Sequence, residues 1–481
     1  MGSNNGMEYY IAVFDIGKTN KKFLLFSEDF KSVYVDSVKI GEVYKNGILC
    51  DDIESIEAWV KEKLKEVSSK YKVTGLGMTT HGATLSYISG KRLAFPVISY
   101  NHDIEPMIRR EFYKEFGSPS ELYMITGTPP YGRLMTAGMQ IYWFRKKYPE
   151  IYSKVDRILF FPQYLLFSVS GIETSEITSI GCHTYLYDLR RMDWSIVAEE
   201  LNVDDLSPSI IDVWRGVGSF RTDSLEITTV PGIHDSNASI LPFLNREGKD
   251  IVFASTGTWC VFMYPTAEFK PSPEDLYKDV VYYVNVYGKP VRSSRFAGGY
   301  EHDHYLKIIS DKFNIDYREI SPNVELVDEI LRRCEDFITP GLIEGAGQFQ
   351  KSRSRIIGSM FTKDPVAAYH ILNLSLAIQS YVAVNLIVHE MSPDILIIGG
   401  FANNEIYLKL LSTLFHDSRV FRSIFPEATA LGTAMCCKSA IEGVSLRELS
   451  VRLPVEEVGK LDIDLDRLMN YVEEYIEFSS R

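Results

Sequence analysis

The sequence predicts an α/β protein of two domains, because the same short pattern opens each half of the chain. In this pattern an apolar β-type run leads into a tight turn that is rich in Gly and Thr. The two runs are residues 9–14 and 251–254, and the turns that follow them contain Gly17 and Gly257. At 481 residues the chain is also too long for one ordinary core.

The first half alternates β-type and helical segments. Three β-type runs predict a meander, and an apolar pattern at helical spacing predicts the first helix. The region 104–201 is predicted to be mostly helical, with layered helices in two of its parts. The predicted strands are 9–14, 23–26, 32–39, 73–78 and 94–100, and the predicted helices are 53–71, 133–148 and 152–168.

The second half repeats this order. A strand at 251–254 and its return at 260–264 flank the second turn, and a long apolar helix is predicted at 365–391. A very apolar strand at 395–398 ends in Gly399-Gly400. We expect the domain boundary within 241–250, where Pro and Gly residues and a run of charges interrupt the pattern.

Composition excludes several classes of protein. A formal net charge of −13 argues against non-specific nucleic-acid binding. No uninterrupted apolar stretch approaches the roughly 18 residues that span a membrane, and residues 1–7 lack the features of a signal peptide. The six cysteines show no C-x-x-C spacing, so we expect reduced thiols in a cytoplasmic protein and no zinc site.

The two turns are suited to phosphate. A strand that ends in a tight Gly turn directs backbone N–H groups and hydroxyls toward one point. The segment Gly17-Lys18-Thr19 matches the end of the P-loop motif, but Ala12 stands where that motif needs Gly. Another strand follows, where the motif needs a helix. The first turn is therefore predicted to be the tip of a β-hairpin.

Six short segments, in order, resemble the FGGY carbohydrate kinases of the actin-like ATPase superfamily. The third and fourth of these segments, Gly232-Ile-His-Asp and Ser-Thr-Gly-Thr-Trp, are most similar to rhamnulokinases. The match runs over nearly the whole chain. Its segments are Asp15-Ile-Gly-Lys-Thr19, Thr80-His-Gly-Ala83, Gly232-Ile-His-Asp-Ser236, Ser255-Thr-Gly-Thr258, Gly399-Gly-Phe-Ala-Asn-Asn404 and Glu427-Ala-Thr-Ala-Leu-Gly432.

The resemblance implies a fold and a reaction. It implies two actin-like (ribonuclease H-like) domains, each a mixed five-stranded sheet with flanking helices, with a cleft between them. Residues 7–245 would bind sugar and hold the catalytic base, and residues 246–481 would bind nucleotide. The implied reaction is ATP- and Mg²⁺-dependent phosphorylation of a hydroxyl on a ketose such as L-rhamnulose or L-fuculose. A xylulose, other pentulose or polyol kinase is the alternative, and a homodimer is left open.

Two aspartates would carry the chemistry. Asp235 follows a segment broken by Pro231 and Gly232 and precedes a helix-starting sequence, so it is either the base that accepts the sugar proton or a plain N-cap. Asp15 precedes the first turn and either braces the hairpin or holds Mg²⁺ near the β- and γ-phosphates. The order of the family's segments favours the base for Asp235, and the presence of the second turn favours the functional role for Asp15.

Nucleotide-binding residues are expected at the two turns and at the Gly-Gly segment. Glycine there permits positive φ or a close approach of backbone to phosphate. The sequence leaves open whether Lys18 neutralises the γ-phosphate or points to solvent. The expected set is Asp15, Gly17, Lys18, Thr19, Asn20, Ser255, Thr256, Gly257, Thr258, Gly399, Gly400, Asn403 and Asn404.

Sugar-binding residues are expected at the ends of strands in the first domain, because a polyol needs several directional hydrogen bonds. His81 alone would favour a structural role, and its pairing with Asn101 and Asp103 leaves both roles open. The expected set is Thr80, His81, Gly82, Asn101, Asp103, His234 and Asp235, with Gln163 and Glu176 as weaker candidates.

Two other classes of protein would contain the same two phosphate-binding turns. A non-enzymatic actin-like ATP switch would need no base, so the Gly232–Asp235 segment argues against it. An acyl or carboxylate kinase would need an Arg pair in its site, whereas pairs such as Arg109-Arg110 are predicted to be exposed helix charges.

Overall fold

The computed structural model describes residues 9–221, 225–244, 250–265, 268–388, 392–449, 451 and 453–480. The chain forms two compact units. The first comprises Met1–Arg246, Tyr282–Pro290 and Glu427–Val451, and the second comprises Glu247–Val281, Val291–Pro426 and Arg452–Arg481.

This division differs from the predicted domains, which met at a single position of the chain. The predicted meeting point at 245/246 and the predicted start at residue 7 lie outside the described residues. Two later segments belong to the first unit, and the second of them is mostly one helix, Ala428–Glu442. A Cβ on Gly77 would lie 2.6 Å from Thr433 of that helix, so the helix packs directly on a strand of the first unit.

Through residue 244, the elements follow the predicted order with several additions. The strands are β1 Tyr10–Ile16, β2 Asn20–Ser27, β3 Ser32–Lys39, β4 Glu42–Lys45, β5 Ile48–Asp51, β6 Val73–Thr80, β7 Leu85–Ser89, β8 Arg92–Leu93, β9 Arg157–Phe160, β10 Tyr187–Asp188, β11 Asp193–Trp194, β12 Gly218–Arg221, β13 Glu226–Thr229 and β14 Ile233–His234. The helices are α1 Ile53–Ser68, α2 Pro106–Phe116, α3 Pro119–Thr126, α4 Ala137–Lys147, α5 Pro149–Tyr152, α6 Phe161–Ser170, α7 Ile177–Ile180, α8 Ile196–Glu200, α9 Val203–Leu206 and α10 Asp235–Leu244.

From residue 250 onward, the described elements again begin with a hairpin. The strands are β15 Ile251–Thr256, β16 Cys260–Tyr264, β17 Val280–Val284, β18 Pro290–Phe296, β19 Phe337–Thr339, β20 Arg355–Ile357, β21 Asp394–Gly399, β22 Val420–Ser423 and β23 Glu456–Glu457. The helices are α11 Gly298–Phe313, α12 Val324–Arg333, α13 Met360–Lys363, α14 Pro365–Ile387, α15 Glu405–Leu414, α16 Ala428–Glu442 and α17 Leu465–Ser480.

Both main sheets contain the same five-strand arrangement. Three antiparallel strands, β3-β2-β1, continue into two parallel ones, β6 and β13, and the order β18-β16-β15-β21-β22 repeats this pattern. The predicted count of five strands is nevertheless wrong, because each sheet has seven. Strands β12 and β14 extend the first sheet, and β17 and β23 extend the second. These additions are mostly short segments, whose apolar patterns are too brief to read from sequence.

Two predicted elements differ in detail. Residues 94–100 form a single bridge between Ile98 and Cys50 rather than a strand, and Pro96 lacks the N–H that a ladder needs. The helix predicted at 152–168 is divided, because β9 precedes α6. Both segments are apolar, and a short apolar run fits either type of element.

Helix α14 forms the centre of the core in the second unit. By length and composition it could cross a membrane, although the sequence analysis predicted no segment of that kind. However, 78% of its most apolar window is buried within the protein, as in the core helix of a globular unit. Its predicted last residues, 389–391, lie outside the described part of the chain.

Candidate active site

Two aspartates lie at the carboxyl ends of neighbouring strands in the first unit. Asp15 on β1 pairs with Thr79 on β6, and Ile233 on β14 pairs with the same Thr79 from the other side. Strand β14 ends at His234, and Asp235 begins α10. Parallel strands therefore bring Asp15 and Asp235 to one edge of the sheet, on either side of β6.

The segment before Asp235 is held by buried contacts. Gly232 has φ of 92°, and a Cβ there would lie 3.0 Å from Pro162 and 3.2 Å from the carbonyl oxygen of Met78. The side chain of Gln163 donates to the carbonyl of Pro231 at 3.0 Å. The weaker candidate Gln163 thus acts on the backbone that carries the aspartate, and glycine is required at 232 by both conformation and space.

A second contact fixes the next residue. The N–H of His234 donates to the hydroxyl of Thr178 at 3.0 Å, and the buried carboxylate of Glu176 caps the short helix α7 that carries Thr178. Glu176 therefore supports the site indirectly, through Thr178. These contacts place Asp235 on a rigid junction between strand and helix.

The two aspartates have unusual proton affinities. Burial raises the pKa of Asp15 to about 7, and the negative charge of Asp235 adds to that increase. Burial also raises the pKa of Asp235 to about 6, although the N–H of Ser236 donates to its carboxylate at 2.6 Å and opposes the shift. The Asp235 side chain keeps 36% of its surface exposed. It is thus accessible to a ligand while its surroundings remain poor in solvent.

Asp15 fits a role in holding a divalent cation. Its carboxylate is half-buried and has no hydrogen-bond partner within the part of the chain that the structure describes. The adjacent Asp235 charge disfavours its ionisation, and a cation would offset that repulsion. The alternative, a brace that accepts N–H bonds from the hairpin turn, finds no such bond among the described residues.

Thr80, His81 and Gly82 follow directly on β6. Thr80 is buried, and its hydroxyl donates to the carbonyl of His81 at 2.8 Å. The ring of His81 packs against Tyr100 with centroids 5.2 Å apart, and its Nε2 has no partner among the described residues. Burial lowers the pKa of His81 well below its usual range. The ring is therefore neutral and has one nitrogen available for a ligand.

Lys18 adopts neither of the two predicted orientations. Its ammonium group lies 2.8 Å from Asp51 and 3.0 Å from Glu42, and it donates to the hydroxyl of Ser99 at 2.9 Å. Asn101 donates to the same Glu42 carboxylate at 3.1 Å. Lys18 is thus bound in a network of acids rather than directed at phosphate or solvent. Through Glu42 it supports Asn101.

Asp103 lies apart from this group. Its side chain is 89% exposed and is 3.5 Å from Arg133. Exposed ion pairs of this kind are weak, and a carboxylate in bulk solvent offers little to a buried sugar. The structure brings five of the predicted sugar-binding residues together: Thr80, His81, Gly82, His234 and Asp235. Asn101 is connected to this group through its neighbour Tyr100, which packs on His81, and through the Lys18 network.

The first turn exposes polar groups as predicted for a hairpin tip. It joins β1 to β2, and both Thr19 and Asn20 are exposed. Gly17 has no positive φ, which was one of the two reasons expected for glycine here, and a Cβ there would lie 3.0 Å from the carbonyl oxygen of Asn20. The tightness of the turn, rather than its backbone conformation, therefore favours glycine.

The second turn joins β15 to β16. Gly257 and Thr258 are exposed, and Ser255 is half-buried. Gly257 also lacks a positive φ, and a Cβ there would find its nearest neighbour 3.9 Å away. No described residue therefore requires glycine at 257, and the backbone there is open to a ligand.

Thr256 does not match its predicted role. Its hydroxyl donates to the carbonyl of Ile398 at 2.6 Å and accepts the N–H of Phe401 at 3.0 Å. It thus joins β15 to the Gly-Gly segment and is not free for phosphate. At Gly399, φ is 90°, and a Cβ would lie 2.3 Å from the carbonyl oxygen of Thr256. This glycine is needed for the packing of two strand ends.

A cavity of about 450 Å³ lies beside the Gly-Gly segment in the second unit. Gly400, Asn403 and Asn404 line it together with aromatic side chains such as Tyr317 and Tyr369. Asn403 is exposed, whereas Asn404 caps α15 and donates to Asn373 at 2.7 Å. The cavity has the size and the flat aromatic walls that suit a nucleobase.

Three side chains beside His234 were not predicted from the sequence to belong to the site. Cys182, His183 and Tyr283 all lie near its imidazole. Cys182 and His183 are adjacent in the chain, and that pair could have been noticed. Tyr283 belongs to the segment 282–290, which is part of the first unit although the residues before it belong to the second. No local sequence pattern predicts this assignment.

The chain matches two family models. The model for the FGGY family of carbohydrate kinases, N-terminal domain, matches residues 10–208. The model for the carbohydrate kinase FGGY, C-terminal domain, matches residues 249–444. Together these matches include both predicted turns and Asp15, while Asp235 lies between them.

Sequence relatives include D-xylulose kinase A of Aspergillus niger, 24% identical over 316 residues, and a rhamnulokinase of Halalkalibacterium halodurans, 23% identical over 267 residues. The first match covers 54% of this chain and 54% of the relative, and the second covers 53% and 55%. The chain thus spans about half the length of the curated relatives it matches.

Solved structures match over nearly the full chain. A carbohydrate kinase from Novosphingobium aromaticivorans is 25% identical, with a TM-score of 0.82 and coverage of 97% of this chain and 98% of that one. A ligand-bound xylulose kinase from Lactobacillus acidophilus is 16% identical, with a TM-score of 0.80 and coverage of 98% and 97%. The predicted two-domain, actin-like α/β class is confirmed.

Proposed function

Because the chain belongs to the FGGY family of carbohydrate kinases, we propose that it transfers the γ-phosphoryl group of ATP to a hydroxyl of a neutral ketose. The observation that carries this proposal is the placement of Asp235 beside Asp15 at one edge of the first sheet. One carboxylate can accept a proton while the other holds a cation, and both tasks are needed for phosphoryl transfer to an alcohol.

Asp235 is the proposed general base. Its carboxylate is partly exposed and anchored at the start of α10, so a sugar hydroxyl can approach it without moving the backbone. A pKa of about 6 leaves it ionised at neutral pH and makes it a better proton acceptor than an ordinary aspartate. The proton of the attacking hydroxyl passes to Asp235 as the new O–P bond forms, and the bond between the γ-phosphorus and the β,γ-bridging oxygen breaks to release ADP.

The sugar would be held by the neutral polar groups around β6. His81 offers an unpartnered Nε2, and Asn101 is oriented by Glu42 and Lys18. In the second unit, the exposed backbone at Gly257 and Thr258 would hold phosphate, and the cavity beside Gly400 and Asn403 would hold the base. Thr256, Lys18 and Asp103 are left out of the proposed direct contacts.

Asp15 would hold Mg²⁺, which neutralises charge on the phosphates when bound. The half-buried carboxylate and its lack of a hydrogen-bond partner among the described residues fit that role. Thr19 and Asn20 are exposed at the adjacent turn and would contact the phosphates there.

The acceptor is proposed to be L-rhamnulose, L-fuculose or xylulose. The Gly232-Ile-His-Asp235 segment favours a deoxy-ketose, while relatives named as xylulose kinases favour the pentulose equally. One methyl or hydroxymethyl group is worth only about 1–3 kcal/mol in a pocket, so cross-reaction among ketoses is expected.

The experiment is an ADP-release assay over ketoses, aldoses, polyols and hexuronates, with product phosphorylation checked by mass spectrometry. Ketose-dependent ADP release supports the proposal. Release of ADP without any phosphorylated acceptor would instead support an ATP switch.

A further inference from the structure

We propose that Cys182, His183 and His234 form a binding site for Zn²⁺ beside the candidate base, through which zinc inhibits the enzyme. One ligand atom from each residue lies within 4.8 Å of the other two. Thiolate and imidazole are the ligands that zinc prefers, and three protein ligands leave a fourth position open. Cysteine spacing gave no sign of this site because two of its ligands are histidines.

The residues come from two separate elements that meet at one point. Cys182 and His183 follow the short helix α7, and His234 ends β14. The Sγ atom of Cys182 lies 3.8 Å from Nε2 of His234. A Cβ on Gly82 would lie 3.0 Å from Nε2 of His183 and 3.2 Å from Nε2 of His234, so both nitrogens face the same small space.

The protonation of His183 suits a metal ligand. Its Nδ1 lies 3.1 Å from the carbonyl oxygen of Met135, which can only accept, so Nδ1 carries the proton. The lone pair is therefore on Nε2, the atom that faces the cluster. A backbone carbonyl behind a histidine ligand in this way fixes its tautomer and orientation.

His234 is also prepared to bind a cation. Its ring is buried, and its Nε2 lies 3.8 Å from the Sγ atom of Cys182. Its Nδ1 is buried without a partner among the described residues. Zinc on Nε2 moves the ring proton to Nδ1, and the Cys182 thiol releases one proton as its sulfur binds the ion.

Bound zinc would act on the base directly. Nε2 of His234 lies 3.2 Å from Oδ1 of Asp235, so an ion on that nitrogen is within reach of the carboxylate. Asp235 can then complete the tetrahedron as the fourth ligand, and it can no longer accept the sugar proton. Inhibition rests on the proposed function, whereas zinc binding itself does not.

The binding test uses Co²⁺ as a spectroscopic probe for the zinc site, with the full chain reduced by a thiol-free reductant. A thiolate-to-cobalt charge-transfer band should saturate at one equivalent and be displaced by Zn²⁺. The band should be absent in Cys182→Ser, and zinc affinity should fall at least about tenfold in His183→Gln. The matched control is Cys334→Ser, a half-buried thiol outside the cluster, which should bind as the parent does.

Several outcomes would overturn the site. They are the absence of a band in the parent, an unchanged band in Cys182→Ser, or equal loss in Cys334→Ser. Thermal unfolding of each variant shows whether it is folded, and if Cys182→Ser is not, unchanged zinc affinity in His183→Gln overturns the site by itself.

The inhibition test compares ADP release with and without Zn²⁺ in the parent and in His183→Gln. Zinc should inhibit the parent competitively with sugar and inhibit the variant at least about tenfold less strongly. Zinc binding without inhibition would overturn the inhibitory role alone. If no sugar is phosphorylated, the proposed function fails, while the cobalt band still decides the metal site.

Discussion

Asp15 and Asp235 are coupled: the negative charge of Asp235 raises the pKa of Asp15, which burial has already increased. The two residues reach this position because β1 and β14 flank β6 and run parallel to it. Two carboxylates this close together are costly for the unliganded protein. A bound cation would relieve this repulsion.

The coupling predicts that Asp15→Asn stabilises the protein at high pH. An unfolded Asp ionises near pH 3.8, whereas the folded residue keeps its proton until about pH 7. Between these values the folded state binds more protons, so its stability falls as pH rises, and the penalty is complete above pH 7. The variant should therefore unfold at a higher temperature than the parent at pH 8.

Near pH 3.8 and below, where both states are protonated, the two proteins should differ little. Thermal unfolding at both pH values without Mg²⁺ measures the effect. A stabilisation that is equal at pH 4 and pH 8 would contradict the assigned charge effect.

The pKa of Asp235 predicts how kcat/KM changes at acidic pH. With a pKa of about 6, Asp235 must lose its proton before it can accept one from the sugar. At saturating Mg²⁺ and ATP, where the bound cation keeps Asp15 ionised, we expect kcat/KM for the sugar to decline by about tenfold per pH unit below about pH 6 and to level off above it. A rate that stays constant down to pH 5 would exclude Asp235 as the titrating base.

Hairpins and buried strands were predictable because their signals are local. The strand 32–39 and the return strand 260–264 match the structure to the residue, since apolar runs bounded by turns define them. Asp235 was identified from its Pro-Gly context and from the order of motifs. Its effect on the pKa of Asp15, however, joins residues that are 220 positions apart in the chain.

The predictions that differ from the structure concern side chains whose partners come from distant parts of the chain. The Lys18 side chain looked available, but Asp51 and Glu42 from other strands bind it. The Thr256 hydroxyl is taken by backbone groups of Ile398 and Phe401. No local pattern could reveal these partners.

Two glycines in the second unit should behave differently. Gly257→Val should leave the fold intact, because the space around its Cβ is open, and should weaken ATP binding by about tenfold or more, about 1.4 kcal/mol. The physical reason is that a branched side chain keeps phosphate from the backbone N–H groups. Titration calorimetry with ATP and with sugar measures the two affinities.

Gly399→Ala serves as the structural comparison. Its positive φ and the 2.3 Å approach to Thr256 predict a loss of stability of at least about 1–3 kcal/mol. If Gly257→Val bound ATP as the parent does, the second turn would not be a phosphate site.

The neutral sugar site predicts a substrate order. His81 is neutral, and Lys18 is neutralised by its acid partners, so no free cation among the predicted sugar contacts would attract an acidic sugar. Neutral ketoses should therefore exceed hexuronates in kcat/KM. Parallel kinetics on L-rhamnulose, L-fuculose, xylulose and hexuronates measure this order, and a hexuronate with the highest value would contradict the proposed acceptor class.

The most direct test of the account compares Asp235→Asn with the parent in ketose-dependent ADP release. The variant keeps the size and the helix-capping ability of the side chain but cannot accept the proton, so kcat should fall by about 10²–10⁴ while sugar and ATP affinities stay close to those of the parent. Asp204→Asn, an exposed acid in the first turn of α9 of the same unit, should retain normal turnover. Near-normal turnover in Asp235→Asn would contradict the central claim that this carboxylate is the base.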